Sequence, residues 1–200
     1  VKSAVSFEVL TWEKTYSMLL TQAEKIRQSG FKPDIIVGIA KGGWVPARVL
    51  ADLLEVSDLA AVRIEFYVGV AETKTEPTLT EGVSTAAIAG KKALLVDDVA
   101  DTGKSLQLAR AHVLQHGAAD ARIATLYKKP WSIIKPDYCE AETNCWVVFP
   151  WERKETLRKI VMKHREKGVI DAEMAKLVKA GLPKQLAKRF LKEIFEAGKC

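Results

Sequence analysis

The stretch Ala93-Leu94-Leu95-Val96-Asp97-Asp98-Val99-Ala100-Asp101-Thr102-Gly103-Lys104-Ser105-Leu106 constrains the fold more than any other part of the chain. Ala93 to Val96 form an apolar run without a turn signal, the pattern of a strand buried on both faces of a parallel sheet. Two adjacent carboxylates end the run, and unpaired carboxylates are too costly to bury. They belong in the crevice outside the strand's carboxyl end, where open α/β sheets bind ligands. Asp101 to Ser105 then lead into Leu106, Leu108, Ala109 and Val113, apolar positions of a helix. Free backbone N–H groups, hydroxyls and a glycine at a helix start suit a phosphate. One segment therefore offers acids for hydroxyls or a metal beside a cradle for a phosphate ester, and its expected ligand is a sugar phosphate. Taken singly the parts are unspecific. An Asp-Asp pair after a strand is a common loop, and the nucleotide-loop spacing fails because Asp98 stands where its first glycine belongs.

A second strand, loop and helix lies upstream. Pro33-Asp34 breaks the chain, Ile35 to Ile39 read as a buried strand, and Ala40-Lys41-Gly42-Gly43 precede Val45, Val49, Leu50, Leu53 and Leu54 at helical spacing. This is again an anion-site pattern, with Lys41 either on the anion or solvated. Before it, Phe7 to Leu10 read as a short edge strand. Thr11 caps a helix carrying Tyr16, Leu19, Leu20, Ala23 and Ile26, which Ser29-Gly30 stops. After it come a strand over residues 61–68 and a long polar stretch over 69–89, the kind of loop that is a functional lid or disordered. The run Ala121 to Tyr127 is a further strand, Lys135 to Cys139 continue extended, and Cys145 to Trp151 form a last short strand. Strands alternating with helices predict an α/β fold, a parallel sheet flanked by helices with right-handed crossovers.

The charge is uneven. Residues 151–200 hold 14 Lys+Arg against 7 Asp+Glu, a net of +7, within a chain whose total is +6. The remainder is near neutral, so the basic balance says nothing about the crevice. Residues 1–150 are expected to form the α/β domain and 151–200 a basic helical extension. Its helices run from Glu155 to Gly168, from a cap at Asp171, and from Pro183. Those lysines read as a solvated face, a hood cover or a dimer contact, with a nucleic-acid patch as the sharper alternative. No apolar run approaches a membrane span and no charged-then-apolar signal region opens the chain, so a soluble, cytoplasmic protein is expected. Cys139, Cys145 and Cys200 form no CxxC pair, which argues against a zinc site or a disulfide framework.

Read as one string, Ala93–Ser105 resembles the phosphoribosyl-pyrophosphate (PRPP) signature of the type I phosphoribosyltransferases: apolar residues, two acids, two apolar residues, then a loop with Thr-Gly and a hydroxyl. Residues 30–152 are similar to that family, and the nearest likeness is to the 6-oxopurine enzymes. The resemblance implies a fold of a parallel sheet with a small hood. It implies that Asp101, Thr102, Gly103, Lys104 and Ser105 hold the 5′-phosphate of PRPP. Asp97 and Asp98 would take the ribose hydroxyls and a Mg²⁺ ion, the latter largely through water with PRPP supplying the other ligands. Ala40, Lys41, Gly42 and Gly43 match the family's pyrophosphate loop. In 6-oxopurine enzymes a cis peptide precedes its basic residue, here Ala40–Lys41.

For the purine base the resemblance points to Lys129 before Pro130, to Trp146 as a stacking ring, and to the backbone of Val147. A cation suits an exocyclic oxygen, and an indole suits a flat heterocycle. Trp131, Trp151 and Tyr138 are taken as packing or rim residues. Asp101 is expected to be catalytic, accepting the purine proton at N7 as N9 attacks, and an aspartate there implies hypoxanthine, guanine or xanthine. Val148 stands where xanthine–guanine enzymes carry glutamate, so the choice among the three stays open. Phe66-Tyr67 replaces the Ser-Tyr that opens the lid in many 6-oxopurine enzymes, and no lid residue is nominated. The resulting expectation is a purine-salvage transferase using Mg²⁺, PRPP and a purine base, forming a homodimer or higher homo-oligomer. The competing expectation is a PRPP- or nucleotide-sensing regulator of the same fold whose tail binds nucleic acid.

Overall fold

The apolar runs that predict buried strands do form the centre of a sheet. The structure is a computed structural model and describes residues 6–67, 76–164 and 166–197. The chain divides into two compact units, a larger one from Ser17 to Thr143 and a smaller one made of residues up to Tyr16 together with those from Asn144 on.

The larger unit is built on strands β2 (Ile35–Ala40), β3 (Leu59–Tyr67), β4 (Glu76–Glu81), β5 (Lys92–Ala100), β6 (Asp120–Lys128) and β7 (Tyr138–Glu142). Their order across the sheet is β4-β3-β2-β5-β6-β7. All neighbours run parallel except β3 and β4, which pair antiparallel. Helix α2 (Trp44–Leu53) links β2 to β3, and α4 (Lys104–Gln115) links β5 to β6. A one-turn helix α3 (Thr85–Ile88) precedes β5.

Alternation along the strands assigns each face its packing. Val37, Ile39, Val62, Leu95 and Ile123 point to the side where Leu106, Ala109 and Val113 of α4 close a continuous core. Ile36 and Leu94 are fully buried on the opposite side. The long helix α1 (Trp12–Gln28) enters this unit at Ser17, and its Gln22 Nε2 donates to the Thr125 carbonyl at 2.8 Å. Both faces of the central strands are therefore covered, which explains why they read as unbroken apolar runs rather than alternating ones.

Two expectations change here. Part of the polar stretch 69–89 is the strand β4, whose alternating exposed and half-buried residues pair only with β3 at the sheet margin. The lid reading otherwise falls partly on residues 69–75, which lie outside the described residues. The strand expected over residues 61–68 begins earlier, at Leu59.

In the smaller unit β1 (Phe7–Val9) pairs in parallel with β8 (Trp146–Val148), Phe7 opposite Trp146. Strand β1 therefore lies in a separate two-stranded sheet and not at an edge of the main one. Thr11 caps α1 as expected, its Oγ1 accepting from the Lys14 N–H at 3.1 Å. Helices α5 (Arg153–Lys163), α6 (Lys167–Lys179) and α7 (Lys184–Ala197) complete the unit. Val148, Leu157, Ile170, Leu177, Leu182, Ala187, Leu191 and Ile194 form its core.

Helix α5 stops at Lys163, and His164 is already extended, so the first tail helix is shorter than its periodicity suggests. Asp171 lies inside α6 rather than capping it. The helix begins four residues earlier, which brings Ile170 onto the buried stripe with Leu177. No helix among the described residues is long and apolar enough to cross a membrane.

Candidate active site

The strand order reverses direction between β2 and β5: the chain goes from β2 outward to β3, and from β5 outward to β6 and β7. At such a switch point the two following loops part and leave a crevice at the carboxyl ends of the strands. The two loops singled out by sequence are those that flank it.

The loop after β2 begins with a cis peptide between Ala40 and Lys41, the bond expected to be cis. Gly43 N–H donates back to the Ile39 carbonyl at 2.8 Å, and the Trp44 N–H reaches the Lys41 carbonyl at 3.2 Å, so the loop folds tightly over the strand end. Both glycines sit where a Cβ would meet close neighbours, Gly42 a side chain and Gly43 rigid backbone. A Cβ on Gly42 would lie 2.5 Å from each carboxylate oxygen of Asp98, and one on Gly43 would lie 2.1 Å from the Val96 carbonyl oxygen. The lysine loop is thus pressed directly against the strand that carries the acids. Lys41 itself is exposed.

Strand β5 runs past its neighbour. Its pairing with β2 ends at Val96, whereas its pairing with β6 continues to Ala100. Asp97 and Asp98 therefore sit on a strand that is open on the β2 side, where Gly42 packs. Successive strand residues point to opposite faces, so the two carboxyl groups leave the backbone on opposite sides. Asp97 Oδ1 accepts the Asp98 N–H at 2.9 Å. Although Asp97 keeps some solvent-exposed surface, protein surrounds its carboxyl. Removal from water first, and the adjacent Asp98 charge second, raise its pKa well above the ordinary carboxylate value, while the Asp98 N–H opposes the rise.

The strand ends in the phosphate-loop candidate. Asp101 and Thr102 are exposed, and Gly103 adopts φ +81, the left-handed region, as the N-cap of α4. Lys104 and Ser105 form the first helical turn, where backbone N–H groups have no partner within the helix. Thr102 Oγ1 accepts from the Lys104 N–H at 3.4 Å, and Lys104 Nζ pairs with Glu76 Oε1 at 3.0 Å. Farther along α4, His112 Nε2 lies 3.0 Å from the Val83 N–H. Desolvation first, and the charge of His116 second, lower the His112 pKa, against a contact with the Val83 backbone.

The segment after β6 returns to this loop. Lys129 N–H donates to the Ala100 carbonyl at 3.0 Å, and Ile133 N–H donates to the Thr102 carbonyl at 3.0 Å. Lys129 is buried, at 8% exposure. Trp131, expected to be a packing or rim residue, is 55% exposed and donates its indole N–H to Asp101 Oδ1 at 2.9 Å. That partnership was missed because it joins residues thirty positions apart. Its only sequence signal is a tryptophan two places after Lys129.

The larger unit thus brings together Lys41 to Gly43, Asp97, Asp98, Asp101 to Ser105 and Lys129. Trp146 and Val147 belong to the smaller unit. There Trp146 N–H donates to the Ser6 carbonyl at 2.8 Å, its ring is 45% exposed, and the Val147 side chain is buried. Among the described residues no group of three or more His, Cys, Asp or Glu could hold a metal alone. The oxygen donors of Asp97 and Asp98 do fit a hard cation that takes its other ligands from substrate and water.

Residues 8–155 match the family described as the phosphoribosyl transferase domain. The chain belongs to that family. Among curated relatives, the xanthine-guanine phosphoribosyltransferase of Nitratidesulfovibrio vulgaris is 29% identical over 145 residues, covering 72% of this chain and 83% of the relative. That of Gluconobacter oxydans is 28% identical over 150 residues, covering 74% of this chain and 86% of the relative. Among solved structures, the purine phosphoribosyltransferase of Pyrococcus horikoshii is 35% identical with a TM-score of 0.64, covering 73% of this chain and 93% of that one. In this chain the Lys41-Gly42-Gly43 loop packs on β5 at Asp98 and Val96, three residues or more before the loop Asp101–Ser105 that follows the same strand.

Proposed function

We propose that this protein is a purine phosphoribosyltransferase that moves the 5-phosphoribosyl group of PRPP to N9 of a 6-oxopurine. The observation that carries the reading is the close packing of the Lys41-Gly42-Gly43 loop on Asp98, with the phosphate loop Asp101–Ser105 at the end of the same strand. A pyrophosphate site, a site for ribose hydroxyls and a 5′-phosphate site in that order match the three parts of PRPP. The relatives' names, xanthine-guanine and purine phosphoribosyltransferase, support a purine acceptor. They do not favour the regulator reading.

In this mechanism the first-turn N–H groups of α4, with Thr102 and Ser105, hold the 5′-phosphate. Asp97 and Asp98 orient the ribose through its hydroxyls. Lys41 and the backbone of Gly42 hold the pyrophosphate and stabilise the charge that grows on it as it leaves, while Gly43, its N–H bound to the Ile39 carbonyl, fixes the turn of the loop. Asp97 and Asp98 would also hold Mg²⁺ largely through water, and the ion when bound would supply positive charge that stabilises the leaving pyrophosphate.

The bond from C1 of the ribose to the pyrophosphate oxygen breaks with its electron pair leaving on pyrophosphate. Purine N9 attacks C1 from the opposite side, and the proton at N7 passes to Asp101. Lys129 donates to the 6-oxygen of the purine, while Trp146 stacks on its face and the Val147 carbonyl accepts from its edge. A cytoplasmic homo-oligomer is the setting we infer, with residues 151–200 a structural extension of a catalytic domain spanning 1–150.

The test is a parallel assay of the purified protein with PRPP, Mg²⁺ and each of hypoxanthine, guanine, xanthine, adenine and orotate. Nucleoside monophosphate and pyrophosphate should form in equal amounts with at least one 6-oxopurine. Formation with adenine or orotate alone would overturn the acceptor assignment, and no product with any base would overturn the enzyme.

A further inference from the structure

Trp131 touches both larger-unit groups that the proposed function assigns to the purine. Its indole N–H donates to Asp101 Oδ1 at 2.9 Å, and the Lys129 ammonium lies 5.7 Å from its ring centroid. A cation at that distance over an indole face is attracted by the ring. The ring is 55% exposed, so burial does not explain why it sits there. The backbone does. Lys129 N–H is tied to the Ala100 carbonyl, Ser132 N–H to the Lys129 carbonyl at 3.1 Å, and Ile133 N–H to the Thr102 carbonyl. A Cβ on Gly103 would lie 2.8 Å from Ser132 Oγ and 2.8 Å from the Ile134 nitrogen, so the two segments pack without a gap. Residues 129–134 are laced onto residues 100–103, and Trp131 is carried on that frame.

We propose that Trp131 is a positioning residue for the acceptor half of the reaction. Its N–H pins the Asp101 carboxylate through Oδ1 and turns Oδ2 toward the proton of the incoming purine. Its ring face holds Lys129 at the distance that meets the 6-oxygen. The proposal rests on the purine transferase reading above.

The chemistry of indole suits the task. Its nitrogen donates and cannot accept, so it cannot compete with Asp101 for the purine proton. A hydrogen bond to an ionised carboxylate is among the stronger and more directional ones. Held through one oxygen, the carboxylate still has lone pairs on the other to receive a proton. Without that bond Asp101, exposed at the end of β5, is free to rotate between several orientations, only some of which serve N7. The same ring links the group that takes the proton to the group that reads the oxygen, so both specificity and proton transfer depend on one side chain.

The experiment compares wild type, Trp131→Phe, Trp131→Ala, Asp101→Ala and the Trp131→Phe/Asp101→Ala double variant, using the base the wild type converts best. Trp131→Phe keeps a ring for Lys129 but lacks the N–H, and should lower kcat by about tenfold with the KM for PRPP unchanged. Trp131→Ala should in addition raise the KM for the base. In the Asp101→Ala background, Trp131→Phe should cause no further loss, because the group it positions is gone. In parallel, the Trp131 indole N–H resonance, identified by its loss in Trp131→Phe, should shift in Asp101→Asn, a readout that needs no turnover.

A Trp131→Phe variant with wild-type kcat, additive losses in the double variant, or an indole resonance indifferent to Asp101→Asn would each overturn the positioning role while leaving the transferase reading intact. A wild-type protein that makes no nucleotide from any base would overturn the transferase reading itself, and the positioning role of Trp131 with it.

Discussion

Replacing Gly42 or Gly43 with alanine should separate ligand binding from folding within two adjacent residues. At Gly43 the added Cβ would meet backbone: the Val96 carbonyl oxygen at 2.1 Å and the Ile39 nitrogen and oxygen at 2.7 and 2.8 Å. Ordinary contact for a Cβ begins near 3.4 Å, so two central strands, β2 and β5, would have to part by about an ångström. Overpacking of this kind costs about 1–3 kcal/mol and occasionally more, and rigid backbone on both sides puts Gly43→Ala at about 3 kcal/mol. For a chain of this length each kcal/mol lowers Tm by about 2–4 °C, which gives a fall of about 6–12 °C.

At Gly42 the obstruction is instead the carboxylate of Asp98, with both oxygens at 2.5 Å and Cγ at 2.6 Å. A side-chain end can turn away, so Gly42→Ala should change stability by less than about 1 kcal/mol. The retreat displaces Asp98 by about 1 Å from the place where it meets the ribose, and misplacement on that scale costs about 10²-fold in rate. Thermal unfolding by circular dichroism and initial rates against PRPP concentration measure the two effects. A Gly42→Ala enzyme with wild-type kcat/KM for PRPP, or a Gly43→Ala protein with wild-type Tm, would refute the reasoning.

Three other outcomes follow from the same geometry. Trp146→Leu removes a 45% exposed ring and should raise the KM for the base by about tenfold, consistent with about 1–3 kcal/mol for stacking one base, while the KM for PRPP stays constant. An unchanged KM for the base would remove Trp146 from the site. The lowered pKa of His112 means that the unfolded chain binds more protons than the folded one below the ordinary imidazole value of 6.5, so stability should decline as pH falls through that value. Urea unfolding from pH 8 to pH 5 should show the decline in wild type and a shallower one in His112→Gln. Equal slopes would exclude His112 as the source. Leu177→Ala empties a fully buried position in the core shared by α5, α6 and α7 and should cost about 2–5 kcal/mol. Hydrogen exchange should then speed up in α5–α7 with β2, β5 and β6 still protected, and loss of protection across both sets would count against a separable extension.

What could be read from sequence and what could not divides along the distance between interacting residues. Ala93–Ser105 was legible because its meaning is local: an apolar run buried by its own strand, acids at its end, a glycine in the left-handed region starting the next helix. The Lys41 loop was legible for the same reason, and its cis bond came with the family likeness. Both strands of the small sheet could be read as short strands, but not their pairing, since β1 and β8 are three residues each and meet across most of the chain. Asp171 misled because an acid before an apolar stripe has the same signature inside a helix as at its cap, and only the burial of Ile170 tells them apart. Strand β4 was hidden by its position at the sheet margin, where one neighbour suffices and polar residues are tolerated.

Trp131 is the case with consequences for chemistry. Local reading could rank it only as another aromatic near Lys129, because its N–H has no partner until β5 and β6 lie side by side and their following loops meet. The pairing of Ala100 with Lys128 makes that meeting obligatory. Parallel neighbours end on the same side of the sheet, so whatever follows β6 must pass over the loop that follows β5. Asp101 and Lys129 are therefore brought together by strand order, and Trp131 touches both.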